Sequence, residues 1–502
     1  MASLAVAGCA GSGIDPALRD VDGNPQVAST PDAYQQQAVA PAAAVEDDWL
    51  DGWLAEFAAT FSSGTLEAHV RQALARDHAL AQQYHRAVEA GRLARVARSD
   101  RLPEFSLRID AARNSGGSSV PTSERWQGDL LVGVELDPAG RLAAVEQRAR
   151  FQYLAQRARY REHALTTAAE TARAHVRWLE ARRLLALFEA RLANLIAART
   201  IIARGYRLGL DEALDLYLAD STLAQERANV AAQRQAVQEA TARLQLRLVE
   251  YPSGVPAGEL GSAAAVAAEL PLLGTAPSAG APGLDAQRQR PDDQGPRPDV
   301  QALDLPATGV PSELLTRRPD LGTAWYDLLA ADAGLAVAHR ARFPRVTLSA
   351  ALGRTGVEAG DLGDAPTARS VAAGLLQPVF AWGGLAMLEA AERDRVRAAE
   401  RRFLDLAQQA FAEVETALAA LTNDRAQYAA IVVAERSATA AAELAFAQYR
   451  RGLVDYTTVL EAQRRAFDAQ SGEVRLRARL LLDHIDIHDA LGGRVDQENE
   501  PT

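Results

Sequence analysis

Two periodicities take turns along this chain. Phe105, Leu107, Ile109 and Ala111 alternate with Ser106, Arg108 and Asp110. A two-residue repeat places apolar side chains on one face of a strand. Leu130, Val132, Val134 and Leu136 alternate with Asp129, Leu131, Gly133 and Glu135 and predict a second strand. The Gly-, Ser- and Pro-rich segment from Asn114 to Thr122 makes the pair a hairpin with a long loop. On both sides of the hairpin the period changes to that of a helix. Leu66, Val70, Ala73, Leu74 and Leu80 predict a helix from Leu66 to about Arg101. Arg141 to Arg204 contains neither Gly nor Pro, and Leu165, Ala168, Ala172, Val176 and Leu179 keep three- and four-residue steps. Such a helix is roughly 90 Å long at 1.5 Å per residue. It cannot bury itself in a compact globule and needs coiled-coil-like partners. Leu210 to Tyr251 returns as a second long helix, which Pro252 stops.

The programme recurs about 240 residues later, which divides the chain into two halves of one fold. A helix opens at Pro311 with Ser312 as N-cap and runs to about Arg342. Val346, Leu348, Ala350 and Leu352 form a third alternating strand, and a fourth covers about Val371 to Phe380. Leu385 to Arg451 is again free of Gly and Pro, with Val396, Ala399, Phe403, Leu406 and Ala410 in helical register. A return helix then runs to Leu491. Between the long helices lie two short tips, Tyr206-Arg207-Leu208-Gly209-Leu210-Asp211 and Tyr449-Arg450-Arg451-Gly452-Leu453-Val454-Asp455. A single Gly there reads as a left-handed C-cap, and Asp455 favours the start of the next helix. The organisation expected is an arm over 1–48, a first repeat over 49–251, a linker over 252–304, a second repeat over 305–491 and a tail over 492–502.

Four strands with one apolar face cannot close a barrel alone, and free strand edges are not tolerated in a membrane. If that face meets lipid, several copies share one barrel, the helices continue it as a tube, and the assembly is a channel. A coiled-coil scaffold carrying small hairpins is the competing reading. No run of about 18 apolar residues exists, so no transmembrane helix is expected. The net charge of −11 argues against nucleic acid as a partner. All 54 basic residues are Arg. The one cysteine, Cys9, excludes a disulfide framework. It ends the run Leu4-Ala5-Val6-Ala7-Gly8-Cys9, which resembles the end of a bacterial lipoprotein signal without its basic leader. His484 and His488 stand one helical turn apart beside Asp483 and Asp489, but the non-ligand reading is favoured at a helix end. No catalytic triad or phosphate loop is present, so neither an enzyme nor a cofactor is expected.

The segment Leu305-Pro306-Ala307-Thr308-Gly309-Val310-Pro311-Ser312-Glu313-Leu314-Leu315-Thr316-Arg317-Arg318-Pro319-Asp320 resembles the signature of the outer membrane factor (TolC-like) family, in its NodT-type lipoprotein branch. Ala341-Arg342-Phe343-Pro344-Arg345-Val346-Thr347-Leu348, Gln377-Pro378-Val379-Phe380-Ala381-Trp382-Gly383-Gly384 and the second tip resemble that family's motifs too. The resemblance implies a mixed α and β membrane protein of the Gram-negative outer membrane, lipid-anchored through Cys9. Three chains would build one twelve-stranded β-barrel, continued by a periplasmic α-helical coiled-coil barrel. The implied role is the exit duct of a tripartite efflux pump of the resistance-nodulation-division type. Its partners are two further copies, a periplasmic adaptor, an inner-membrane transporter that supplies the energy, and outer membrane lipid. A type I protein-secretion duct is the alternative within transport.

By position, Gly209, Leu210, Gly452 and Leu453 match the family's adaptor-contacting tips. Asp215, Thr458 and Glu461 match its periplasmic gate, with Glu461 where relatives often carry Asp and Thr458 where some carry a second acid; solvated helix charges are the alternative for Asp215 and Glu461, and Tyr206 and Tyr449, counted with the gate, either link the tips across helices or only pack. A ring of three acidic groups would select cations. Trp126 and Trp382 flank strands, where aromatic girdles mark a membrane boundary, with packing at the barrel–helix junction an equal alternative for Trp382.

Overall fold

The computed structural model describes residues 64–114, 123–252, 314–315, 317–357, 364 and 366–493. Cys9, the arm, the linker from residue 253 to 304, the N-cap assigned to Ser312 and the tail from residue 494 lie outside them. Among the described residues the order is α1 (Gly64–Arg76), α2 (His78–Ser99), β1 (Glu104–Asn114), β2 (Ser123–Leu136), α3 (Arg141–Arg207), α4 (Ala213–Arg247), α5 (Pro319–Arg340), β3 (Arg345–Gly356), β4 (Thr367–Leu376), α6 (Gly384–Tyr449) and α7 (Tyr456–Ala490).

Two helices expected to be continuous are broken. Asp77 splits the first, because its carboxylate accepts from the backbone N–H of Ala79 at 2.7 Å and of Leu80 at 3.3 Å and so caps a new helix. Pro319 splits the second. It supplies no N–H and pushes Arg318 into extended geometry (φ −75°, ψ 122°), so α5 starts there. The fourth strand lies earlier than expected and ends at Leu376, the last ladder partner of Arg345. Pro378, two residues on, has no N–H to continue the ladder.

The four strands form one antiparallel sheet in the order β1-β2-β3-β4. Pairing of β2 with β3 joins the two halves of the chain, with Leu130 opposite Leu352 and Val134 opposite Leu348. The register aligns the alternation of all four strands. Phe105, Val132, Ala350 and Val371 form one row across the sheet, and Ser106, Leu131, Ala351 and Ser370 the next, on the other face. The apolar face is uncovered: Phe105 and Leu107 are 70% exposed and Val371 83%. Both edge strands, β1 and β4, are exposed along their length.

α3 and α6 have 67 and 66 residues, about 100 Å each. α3 pairs with α4, α6 with α7, and α3 also meets α7. The core lies between these helices, around Val70, Ala172, Trp178, Leu244, Leu480 and Ile485. Alanine prevails on the buried stripe of α3, which suits close approach of long helices. Beneath the sheet, Arg101 pairs with Glu146 at 2.7 Å and Arg342 with Glu389 at 2.5 Å. Arg318 of the signature segment is a clamp: it binds Asp320 at 2.8 Å, Glu413 at 2.7 Å and the Ala490 carbonyl at 2.9 Å. It thereby ties α5 to α6 and to the end of α7.

Candidate functional site

Both tips close in the same way. Gly209 adopts φ +72° and Gly452 φ +69°. In the first, Leu210 N–H donates to Gly205 O at 2.9 Å and Gly209 N–H to Tyr206 O at 3.0 Å. In the second, Leu453 N–H donates to Gln448 O at 3.0 Å and Gly452 N–H to Tyr449 O at 2.8 Å. These paired bonds define the Schellman motif, which satisfies carbonyls that a helix end leaves open. Asp455 occupies the N-cap of α7 with extended geometry, but its side chain makes no capping bond. The turns lift their leucines into solvent: Leu210 is 78% and Leu453 67% exposed, with Leu208 beside them.

The two tips are tied together. The Tyr449 hydroxyl lies 3.2 Å from Asp211 Oδ1 and donates to it across the gap between α6 and the α3–α4 turn. Tyr449 also packs against Tyr456, ring centroids 5.5 Å apart. Tyr456 is buried with Val459, Ile202 and Ala219 in a small apolar cluster behind the tips. Asp211 is held close. A Cβ on Gly205 would come within 1.8 Å of Asp211 Oδ2, so glycine lets that carboxylate stand where it does.

Electrostatics concentrate negative charge here. Burial raises the Asp215 pKa above the usual aspartate value, and Asp211 and Glu212 raise it further. A bond from Tyr449 opposes the rise. Burial and the neighbouring Asp211 and Asp215 push the Tyr449 phenol well above 10. Burial, then Asp215, pushes Tyr456 up to about 12. Both phenols therefore remain protonated donors.

Of the five residues matched to the gate, the structure brings Asp215 and Tyr449 into one cluster. It does not bring Glu461 there. Its carboxylate is held by Arg464 at 3.0 Å and Arg465 at 2.9 Å on its own helix, and those bonds lower its pKa. Thr458 is exposed and Tyr206 is 45% exposed. The sequence marks Gly205 only as part of the tip and gives no role to Asp211 or Tyr456. The signal available was local: Asp211 follows Gly209 by two residues, inside the tip already marked.

The histidines expected not to bind a metal stand in the core. His484 Nδ1 lies 2.8 Å from Leu480 O, and burial lowers the His488 pKa to about 4. Trp178 and the His69–His175 pair, Nδ1 to Nδ1 2.9 Å, are likewise buried. Trp126 lies in β2 opposite Ala111 and Gly356, and Trp382 stands between β4 and α6, 90% exposed.

The fold thus joins an uncovered apolar sheet to helices of about 100 Å whose tips are tied to each other. Residues 69–248 and 310–493 match the family described as outer membrane efflux protein, and the chain belongs to that family. Among curated relatives, it is 29% identical over 423 residues to outer membrane protein OprJ of Pseudomonas aeruginosa, covering 82% of this chain and 80% of OprJ. It is also 29% identical over 459 residues to the pyoverdine export outer membrane protein OpmQ of Pseudomonas putida, covering 88% of each. Among solved structures, a membrane protein from Pseudomonas aeruginosa is 27% identical with a TM-score of 0.72, covering 87% of this chain and 94% of that one. CusC shares the fold, with a TM-score of 0.73 at 22% identity and the same coverage. OpmQ is named for export and OprJ as an outer membrane protein, and this chain is an outer membrane efflux protein of the TolC-like kind.

Proposed function

We propose that the chain is the exit channel of a tripartite pump of the resistance-nodulation-division type, passively conducting small molecules outward. One observation carries this reading: a single open sheet, apolar and exposed on one face, is joined to helices of about 100 Å. The free edges of β1 and β4 must be paired before the sheet can stand in lipid. The two edges run antiparallel to each other, so β4 of one copy can accept β1 of the next. Three copies close a twelve-stranded barrel, above a helical tube made of the α3–α4 and α6–α7 pairs. Cys9 carries a lipid anchor. Energy comes from an inner-membrane transporter, and this chain catalyses nothing.

The tips have two roles in this reading. The exposed Leu210 and Leu453 meet a periplasmic adaptor. The Tyr449–Asp211 bond, backed by Asp215, is the latch of the resting state. Glu461, balanced by two arginines, contributes less charge to the ring than an unpaired acid would.

Purified protein in a planar bilayer should give discrete conductance steps, and light scattering in detergent should give the mass of three chains. A strain lacking the protein, tested against drugs, metals and solvents, should become sensitive to the exported class. A monomer with no conductance would overturn the proposal.

A further inference from the structure

The junction between sheet and helices contains a residue that the protomer alone does not explain. Trp382 adopts φ +49°, although a side chain disfavours left-handed geometry, and its ring is 90% exposed. Phe380 packs on it edge to face, centroids 4.9 Å apart, and is itself 73% exposed. Strain at a site this exposed, where the neighbouring Phe380 is itself mostly open, points to a partner that supplies the compensation.

Sheet closure says which partner. This step rests on the barrel shared between copies argued above. Within one chain, the ladders put the end of β2, the start of β3 and the end of β4 at one end of the sheet, together with the start of β1. If β4 of one copy pairs with β1 of the next, the segment leaving β4 must run beside the segment entering β1. The first is Gln377–Gly383. The second is the end of α2 and the turn through Leu102.

The same junction occurs once inside the chain, between β2 and β3. There the outgoing segment ends in Ala139-Gly140, and Arg340 from the incoming helix reaches over it, donating to Gly140 O at 2.7 Å. Between copies the sizes are exchanged. Aligning Pro103 with Pro344 places Ser99 at the position of Arg340, and aligning Gly383 with Gly140 places Trp382 at the position of Ala139. Gly140 and Gly383 share their backbone geometry, φ +75° and +78°. Ser99 is exposed and its hydroxyl is folded back onto Val96 O at 2.7 Å, which leaves a low, flat site. Leu102 beside it is 62% exposed.

We propose that Trp382 and Phe380 form an inter-subunit clasp, seating on Ser99 and Leu102 of the next copy. Large against small replaces the internal pairing of arginine against alanine and glycine. The ring fills the place that a longer side chain at residue 99 would take, and the contact holds the left-handed turn.

The test is a disulfide. A full-length chain carrying both Trp382→Cys and Ser99→Cys, oxidised in the outer membrane, should give covalent dimers and trimers on a non-reducing gel. Each single variant should give none, which controls for Cys9. Co-expressing the two single variants should give dimers only. The mass of the unoxidised double variant is measured in parallel. A trimer that never cross-links would overturn the clasp and spare the barrel; a monomer would overturn the barrel reading itself. Lipid is the competing neighbour. Strong quenching of the fluorescence difference between wild type and Trp382→Phe by brominated lipid would overturn the clasp. Trp382→Gly relieves the backbone but removes the ring. It should lower the temperature at which trimers dissociate as Trp382→Ala does, and resistance equal to wild type would count against the proposal.

Discussion

Tyr449→Phe isolates the latch between the tips. It removes one oxygen and keeps the ring, so the packing on Tyr456 at 5.5 Å remains. What is lost is the bond to Asp211 at 3.2 Å and the hydroxyl's contact with Asp215. A hydrogen bond to a charged group contributes about 1.5–3 kcal/mol, and a long, half-exposed one about 1 kcal/mol. Asp211 remains near water after the change, so no large desolvation cost is added. Three copies opening together would lose about 3 kcal/mol, and 1.4 kcal/mol is tenfold in an equilibrium constant. The closed-to-open ratio should fall roughly a hundredfold. Single-channel recording of the purified protein measures the open probability directly. A variant with normal assembly mass and unchanged open probability would refute the latch, because the substitution removes the hydroxyl and leaves the ring packing in place.

Gly205→Ala should reproduce that phenotype by another route. Its Cβ would stand 1.8 Å from Asp211 Oδ2 and drive the carboxylate away from Tyr449. The double variant with Tyr449→Phe should open no further than either alone, and additive opening would contradict the shared cause. Glu461→Ala should raise conductance less than Tyr449→Phe in the same bilayer, because Arg464 and Arg465 already balance its charge. Asp483 is buried beside Asp424, and burial first, then Asp424, pushes its pKa up to about 7 from 3.8. A raised folded pKa means stability that is full below 3.8 and is lost as pH rises through about 7. Asp483→Asn should flatten that loss in melting curves at pH 5 and pH 8, and an unchanged pH slope would remove Asp483 as its source. Gly492→Ala should destabilise the protein at every pH. Its Cβ would lie 2.8 Å from Arg318 Cα at φ +77°, a backbone neighbour that cannot rotate aside.

The sequence by itself determined the elements and the tips. Period-two alternation in Phe105–Ala111 and Leu130–Leu136 needs only the chain, because the side-chain direction of a strand is set residue by residue. The long helices follow from runs without Gly or Pro, and Gly209 and Gly452 end them for a local steric reason. Local chemistry also sets the two helix breaks: Asp77 caps its own neighbours, and Pro319 lacks an N–H and restricts Arg318.

Contacts between distant segments were decided only by the tertiary structure. Nothing local states that β2 pairs with β3, since the partner lies more than two hundred residues away and many registers share the same alternation. Asp211 and Tyr449 meet because α3–α4 and α6–α7 are packed side by side, which brings two separate turns to one level. Glu461 looked like a gate residue by position, yet the helix put Arg464 and Arg465 one turn away, on the same face. The sequence named the charges near the tips, and the packing chose which of them face each other.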